Sequence, residues 1–303
     1  MADHLNVDDV IKLAKRLLAG IFGLCIVIAV VIMQTRAVAQ AEGTDQKQTA
    51  TPTSLKQESN VQAALSRLTV ADGLTIERFS DVSPWGSPRM LALDKQGRLL
   101  VSLTDQGRVI RLNQQGEVEM IAQGLNAPHG ITLLGEDLLI AEQTGVAKLV
   151  KQGDRWGTPQ PFIRNLPGGG HNLKTVKVSP DGFIYINVGS SCNVCIEENA
   201  MRATLLRFTA DGRPAGALQT LGRHARGAIW ATGLRNTQGF AWHPETNALF
   251  ATNNGADNRS DSKNGPINDD LLPEYFMLIE PAKNYGWPYC WAAIPIVRDW
   301  PCF

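Results

Sequence analysis

Thr175-Val-Lys-Val-Ser-Pro-Asp-Gly-Phe-Ile-Tyr-Ile-Asn-Val188 is an apolar segment, a Pro-Asp-Gly turn and a second apolar segment. A Gly-bearing turn between two β-branched and aromatic runs is the signature of a β-hairpin. The same phrase occurs three more times, as Met90-Leu-Ala-Leu-Asp-Lys-Gln-Gly-Arg-Leu-Leu-Val-Ser102, Gly130-Ile-Thr-Leu-Leu-Gly-Glu-Asp-Leu-Leu-Ile-Ala-Glu142 and Gly239-Phe-Ala-Trp-His-Pro-Glu-Thr-Asn-Ala-Leu-Phe-Ala-Thr252. The first three are followed by a further strand, at 107–112, 146–150 and 204–208. The turns fall near 96, 136, 181 and 245. A spacing of roughly 40–45 residues, with one longer unit, is the period of a four-stranded propeller blade. The expected fold is all-β: a β-propeller of which about four blades are present. Apolar and polar residues are expected to alternate along its strands.

A blade cannot bury both faces alone, so blades stack around a channel, and the loops leading into the innermost strands converge at one mouth. Those loops are Ser87-Pro-Arg89, Ala127-Pro-His129, Gly170-His-Asn172 and Leu234-Arg-Asn-Thr-Gln238. They bring histidines, arginines and amides together.

The flanking segments speak of export. Lys12, Lys15 and Arg16 precede an uncharged apolar run over 17–33, and Ala37 and Ala39 suit cleavage before Gln40. Residues 1–39 therefore read as a signal peptide or an uncleaved membrane anchor, and the rest as periplasmic or secreted. The Thr-, Gln- and Ser-rich stretch 40–67 reads as a flexible linker, and 68–303 as the propeller domain. Lys+Arg and Asp+Glu balance at 29 each, which gives no basis for nucleic-acid binding. Cys192, Cys195, Cys290 and Cys302 form an even set for an oxidising compartment. Ile196 in place of a histidine excludes haem attachment at Cys192-Asn-Val-Cys195, and no nearby His or Cys completes a zinc site. A structural disulfide or a redox-active pair remain as readings there. Cys290 and Cys302 pair with each other or with partners beyond this chain.

Within the loops, His171 follows three glycines and can act as a base near neutral pH, or can simply bond neighbouring blades. His129 is the equivalent residue one blade earlier. Arg235 and Asn236 offer a fork of donors suited to carboxylates or a quinone oxygen, or to an inter-blade ion pair. His224 and His243 fall in solvated turns. The oxygen-rich stretch from Asn253 through Asp257 and Asp261 to Asp269, Asp270 and Glu274 suits Ca²⁺, although its spacing is not that of an EF-hand.

Three separated phrases now carry a resemblance: Gly-Gly-His-Asn with the downstream Gly-Ser-Ser-Cys-Asn-Val-Cys195, Thr-Gly-Leu-Arg-Asn-Thr-Gln-Gly-Phe-Ala-Trp-His-Pro244, and Asn-Tyr-Gly-Trp-Pro-Tyr-Cys290. Over about residues 70 to 290 the chain resembles the soluble glucose/sorbosone dehydrogenases, which depend on pyrroloquinoline quinone, and most of all their sorbosone branch. The resemblance implies a six-bladed propeller holding the quinone and Ca²⁺ at the channel mouth. His171 would take the proton of a sugar hydroxyl while hydride passes to the quinone. Arg235 would assist catalysis and, with Asn236 and His129, bind the cofactor. The family's calcium-binding carbonyls would match Gly255 and Ala256, and the oxygen-rich stretch itself adds Asp257 and Glu274 as metal ligands. A sugar is then the substrate, and a quinone or cytochrome the final electron acceptor. Two departures stand out. Ser190 occupies the place where the glucose-oxidising branch supports its histidine with an Asp. The loop after Glu274 reads Tyr-Phe-Met where a more polar stretch is usual. Four repeats reach about residue 285, so against a six-bladed ring the sequence reads as one cut short by roughly two blades. Two other activities stay open. A non-catalytic propeller is one. The other, a Ca²⁺-dependent lactonase, would use carboxylates at the mouth, where only His and Arg-Asn appear.

Overall fold

The computed structural model describes residues 61–218, 227–260, 262, 265–268 and 274–290. The expected leader (1–39), residues 40–60 of the linker, His224, Asp261, Asp269, Asp270 and Cys302 lie outside the described residues. So does the apolar run at 17–33, and no described helix is long and apolar enough to cross a membrane.

The chain forms two compact units. The smaller comprises, of the described residues, 61–81 and 115–117. It begins with a helical turn at 61–65, and Ser80 Oγ donates to the Gly116 carbonyl at 2.7 Å.

The larger unit is the propeller. Its first blade is an antiparallel meander of β1 (Pro88–Leu93), β2 (Leu99–Leu103), β3 (Arg108–Leu112) and β4 (Val118–Ala122). The second is β5 (Ile131–Leu134), β6 (Asp137–Glu142), β7 (Gly145–Leu149) and β10 (Gln160–Ile163), with a small hairpin of β8 (Lys151–Gln152) and β9 (Arg155–Trp156) inserted before the last strand. The third is β11 (Val176–Val178), β12 (Ile184–Val188), β13 (Thr204–Phe208) and β14 (Ile229–Thr232). The fourth has three described strands, β15 (Phe240–Trp242), β16 (Leu249–Asn253) and β17 (Tyr275–Leu278). The first strand of each of the first three blades lies innermost, and β5 packs against both β1 and β11.

The expected polar/apolar alternation does not hold in the middle strands. All five residues of β12 and the four central residues of β6 are buried. The period of two instead sorts residues between neighbours, because both faces of a blade are covered. From β6, Leu138 and Ile140 pack with Leu100 and Val109 of the first blade, while Leu139 and Ala141 pack with Val176 and Ile186 of the third. From β12 and β13, Ile184, Ile186, Val188 and Leu206 face the second blade, while Tyr185 and Leu205 face Phe240 and Ala251 of the fourth. Tyr185 also meets the edges of Trp230 and Trp242, with ring centroids 5.6 and 5.0 Å apart. Such apolar contact, on the order of 25 cal/mol per Å² buried, is what joins blade to blade.

Polar contacts stitch the same seams. At the outer side, Arg98 bridges Asp94 (2.7 Å) to Asp154 of the β8–β9 hairpin (2.6 Å). Arg111 joins this network through Asp154 and Glu119 and lies over the Trp156 ring.

At the inner side sits Lys174, 1% exposed. Its ammonium donates to the carbonyls of Gln143 (2.5 Å), Pro167 (2.8 Å) and Asn172 (3.2 Å), which accounts for all three of its hydrogens. Burial lowers its pKa to about 8, with Arg202 adding a smaller effect, so it remains mostly charged at neutral pH. Lys174→Met would orphan three buried carbonyls at roughly 1–3 kcal/mol each. A loss of about 3 kcal/mol or more in urea unfolding is expected, with the far-ultraviolet spectrum of the folded form retained.

Candidate functional site

The site grows out of the loops ahead of β5, β11 and β15. They are linked one to the next. The Gly130 N–H donates to Lys174 O at 2.9 Å, and Thr175 Oγ1 to Gln238 O at 2.7 Å. Gln238 Nε2 reaches back to Leu173 O (3.4 Å) and also donates to Asn236 Oδ1 (2.9 Å).

His171 lies half-buried in the second of these loops. Gly170 ahead of it has φ +59°, and a Cβ there would fall 2.5 Å from Ser190 O. Across from it, a Cβ on Gly189 would come within 2.5 Å of His171 Cβ. Two glycines thus let the histidine backbone lie flat against the 189–191 segment. Lys174 and Arg202 hold the loop from behind. Arg202 donates to the carbonyls of Gly168 and Gly169, the latter at 3.1 Å.

The imidazole tautomer follows from the bonding. Nδ1 lies 3.2 Å from the Ser190 carbonyl, which only accepts, and 2.8 Å from Ser190 Oγ. That hydroxyl spends its own hydrogen on Cys192 O at 2.7 Å. Nδ1 therefore carries the proton, and Nε2 carries a lone pair. Burial and then the nearby Arg235 charge lower the His171 pKa from the ordinary 6.5, against smaller opposing effects of Ser190, Asp257 and Glu197. His171 is neutral at pH 7, with its acceptor nitrogen opposite the Ser190 anchor. Ser190 supplies the orientation without a charge.

Arg235 is 2% exposed. Its Nε donates to Asn193 O (3.0 Å), and its Nη2 to Asn193 Oδ1 and Asp257 Oδ2 (2.8 Å each). Its own carbonyl accepts the Ser190 N–H at 2.8 Å, which fastens it to the histidine support. Asn236 is placed by Asn253, whose Oδ1 accepts the Asn236 N–H at 3.0 Å. Its Oδ1 would stand 3.3 Å from a Cβ on Gly189, so Asn236 and His171 crowd the same glycine.

His129 is 3% exposed. Its Nδ1–H donates to Lys174 O at 3.2 Å, and burial together with the Arg89 charge brings its pKa down to about 4 despite that bond. His243 caps a turn, accepting from the Glu245 and Thr246 amides at 3.3 Å.

The expected metal ligands divide. Gly255 is buried, Ala256 partly so, and Asp257 and Glu274 are exposed. Glu274 accepts the Gly255 N–H; partial desolvation raises its pKa, with Gly255 and Arg235 opposing and Asp257 reinforcing. The donors are all oxygens, the type a hard cation takes. Asp257 is already paired with Arg235, so a cation would lean on Gly255 O, Ala256 O and Glu274. The stretch after Glu274 is not a loop. Tyr275–Leu278 is β17, paired along its length with β16, because alternating Tyr and Met side chains pack inward. Among the described residues the one cluster of three His, Cys, Asp or Glu groups spaced for a metal is Cys192, Cys195 and Glu197. Its two sulfurs are joined in a disulfide, Cα atoms 6.1 Å apart. Cys290 is also disulfide-bonded.

Lys174, Asn193 and Arg202 were not singled out by the sequence. Lys174 left a faint sign, a lysine two residues ahead of an inner strand; Arg202 left none.

Residues 68–298 match the model of the TrAA12-like family. The chain belongs to that family. The PQQ domain of a Coprinopsis cinerea pyranose dehydrogenase superposes with TM-score 0.56 at 21% identity, over 69% of this chain and 55% of that one. A calcium structure of a Trichoderma reesei carbohydrate-active enzyme of family AA12 gives 0.59 at 18%, over 74% and 61%. A putative oxidoreductase (glucose dehydrogenase) of Thermus thermophilus gives 0.51 at 25%, over 67% and 64%. These likenesses agree with the four-blade propeller. Among curated proteins, an uncharacterised Borreliella burgdorferi protein is 23% identical over 239 residues, 74% of this chain and 57% of its own length. An uncharacterised Synechocystis protein is 29% identical over 164 residues, 49% of this chain and 36% of its own. The chain thus spans about a third to two thirds of the length of these relatives.

The His129 environment sets an acid limit. The unfolded chain takes up its proton near 6.5 and the folded one only near 4, so between these values the unfolded state binds more protons and stability falls as pH falls. About 3 kcal/mol should be lost over that window, flattening below it, at 1.36 kcal/mol per pKa unit. Urea midpoints measured from pH 7 to 4 check this, and His129→Asn should show a shallower slope.

Proposed function

We propose that this protein is a quinoprotein sugar dehydrogenase, exported from the cytoplasm, that oxidises an aldose or a sorbosone-like sugar. The observation that carries the reading is the fixed tautomer of His171: a neutral imidazole, Nδ1–H tied to Ser190, with a lone pair on Nε2 and the Arg235 charge acting on the ring. Such a group removes a proton from a hydroxyl at neutral pH. The family membership and the sugar dehydrogenases among the solved neighbours support the substrate class.

The cationic and amide donors of the three loops suit a planar polycarboxylate. Arg235, Asn236 and His129, with Arg89 nearby, would hold pyrroloquinoline quinone; Gly255, Ala256 and Glu274 would hold Ca²⁺, with Asp257 shared between cation and Arg235. Bound there, the pair would supply a two-electron acceptor for the sugar hydride and a Lewis acid to polarise it.

The chain's own contribution is then defined. His171 Nε2 accepts the hydroxyl proton, and Ser190 keeps the ring from turning its protonated edge to the substrate. Burial, and after it the Arg235 charge, hold the resulting imidazolium pKa low, which favours release of the proton after turnover. Electrons would leave to a quinone or cytochrome, and the Cys192–Cys195 bond is consistent with an oxidising, periplasmic or secreted setting.

Dye-linked aldose oxidation, after addition of pyrroloquinoline quinone and Ca²⁺ to the full chain, tests the reading. Wild type should reduce dye, with kcat/KM falling as pH drops through a midpoint below 6.5, where His171 gains its proton. His171→Gln should lose about a hundredfold or more in kcat while still taking up the quinone. Lactone hydrolysis without dye reduction, or neither activity, would overturn it.

A further inference from the structure

The Arg235 guanidinium is buried, yet Asp257, the carboxylate paired with it among the described residues, has a side chain 66% exposed. An exposed carboxylate is a weak tether for a buried cation, because water screens it. The rest of the hold comes from one residue. Asn193 accepts Arg235 Nε on its carbonyl (3.0 Å) and Arg235 Nη2 on Oδ1 (2.8 Å). The same Oδ1 accepts the Asp257 N–H (2.9 Å), and Nδ2 donates to Asp257 O (2.6 Å). Its carbonyl also receives Trp287 Nε1–H at 3.3 Å.

Asn193 is itself pinned, lying between the two cysteines of the Cys192–Cys195 disulfide. The residue before it completes the arrangement. Cys192 O takes the Ser190 hydroxyl hydrogen, and this is what leaves Ser190 Oγ free to accept His171 Nδ1–H. One small disulfide ring therefore presents two consecutive carbonyls, one orienting the base and the other the guanidinium.

We propose that Asn193, clamped by the Cys192–Cys195 ring, is the positioning residue that sets Arg235 and Asp257 beside His171. This rests on the reading of His171 and Arg235 as the working pair. It also assigns the disulfide a task beyond stability: the ring holds the geometry of both groups.

The test uses the full chain and two readouts. His171, one of five histidines, is followed by NMR of ¹³C-labelled imidazoles, assigned through His171→Gln, without cofactor. Arg235, Asp257 and Glu197 are the charges that act on it. In Asn193→Ala the His171 midpoint should move up toward 6.5, because the guanidinium is no longer held near it. With quinone and Ca²⁺ added, kcat should fall on the order of tenfold to a hundredfold with KM changed little, as expected for misplaced reacting groups. The double variant Cys192→Ser, Cys195→Ser should shift the midpoint in the same direction, and serves where Asn193→Ala fails to fold. A lower melting temperature with an unmoved His171 midpoint in both variants would overturn the proposal. A wild type that reduces no dye, but whose His171 midpoint still moves on substitution, leaves Asn193 as the positioning residue and removes the sugar-oxidation reading instead.

Discussion

A buried ammonium needs as many acceptors as it has hydrogens, and Lys174 finds all of its acceptors in backbone. Two of them, Pro167 O and Asn172 O, lie either side of the glycine run that carries His171; the third, Gln143 O, belongs to the turn between β6 and β7. The carbonyl of Lys174 meanwhile receives the Gly130 N–H and the His129 ring. One residue thus ties the second blade to the third at the level where the candidate site begins. Loops with three glycines would otherwise sample many shapes, since glycine is the least restricted residue. The cation removes that freedom, and Arg202 repeats the device from the other side through Gly168 and Gly169.

The blades below can carry such polar loops because their middle strands are dry on both faces. Leu138 and Leu139 are neighbours in sequence and lie in different cores. Ile184 and Tyr185 do the same one blade on. Each blade is then both floor and wall, and a shift in one would be felt in its neighbours. The inner loops inherit that rigidity, as a precise site on connecting segments requires.

How much of this was legible in the sequence follows from what kind of signal each part leaves. The hairpins were legible because a turn such as Pro180-Asp181-Gly182 marks the chain locally. The last strands of the first three blades were not. Gln160–Ile163 contains a proline, and Ile229–Thr232 is four residues separated from its partner Thr204–Phe208 by a long connection rather than a tight hairpin turn. The alternation expected of strands failed for a clear reason: it presumes one wet face. At the candidate site, His171 and Arg235 stand out in the sequence by their place ahead of inner strands. The groups that orient them do not, because they act through carbonyls, which every residue has. Asn193 is 42 residues from Arg235, and Arg202 is 34 from Gly168. Tyr275–Leu278 misled in the opposite way, its apolar side chains belonging to a strand edge.

The packing of Gly189 against His171 has a practical meaning for anyone who would alter what this protein accepts. Positions 170, 171, 189 and 190 form a block in which each backbone excludes a side chain on the other, so a library randomised there would return mostly unfolded or misaligned clones. Evolvability in this scaffold is therefore constrained at its centre, where two glycines leave no room for a side chain.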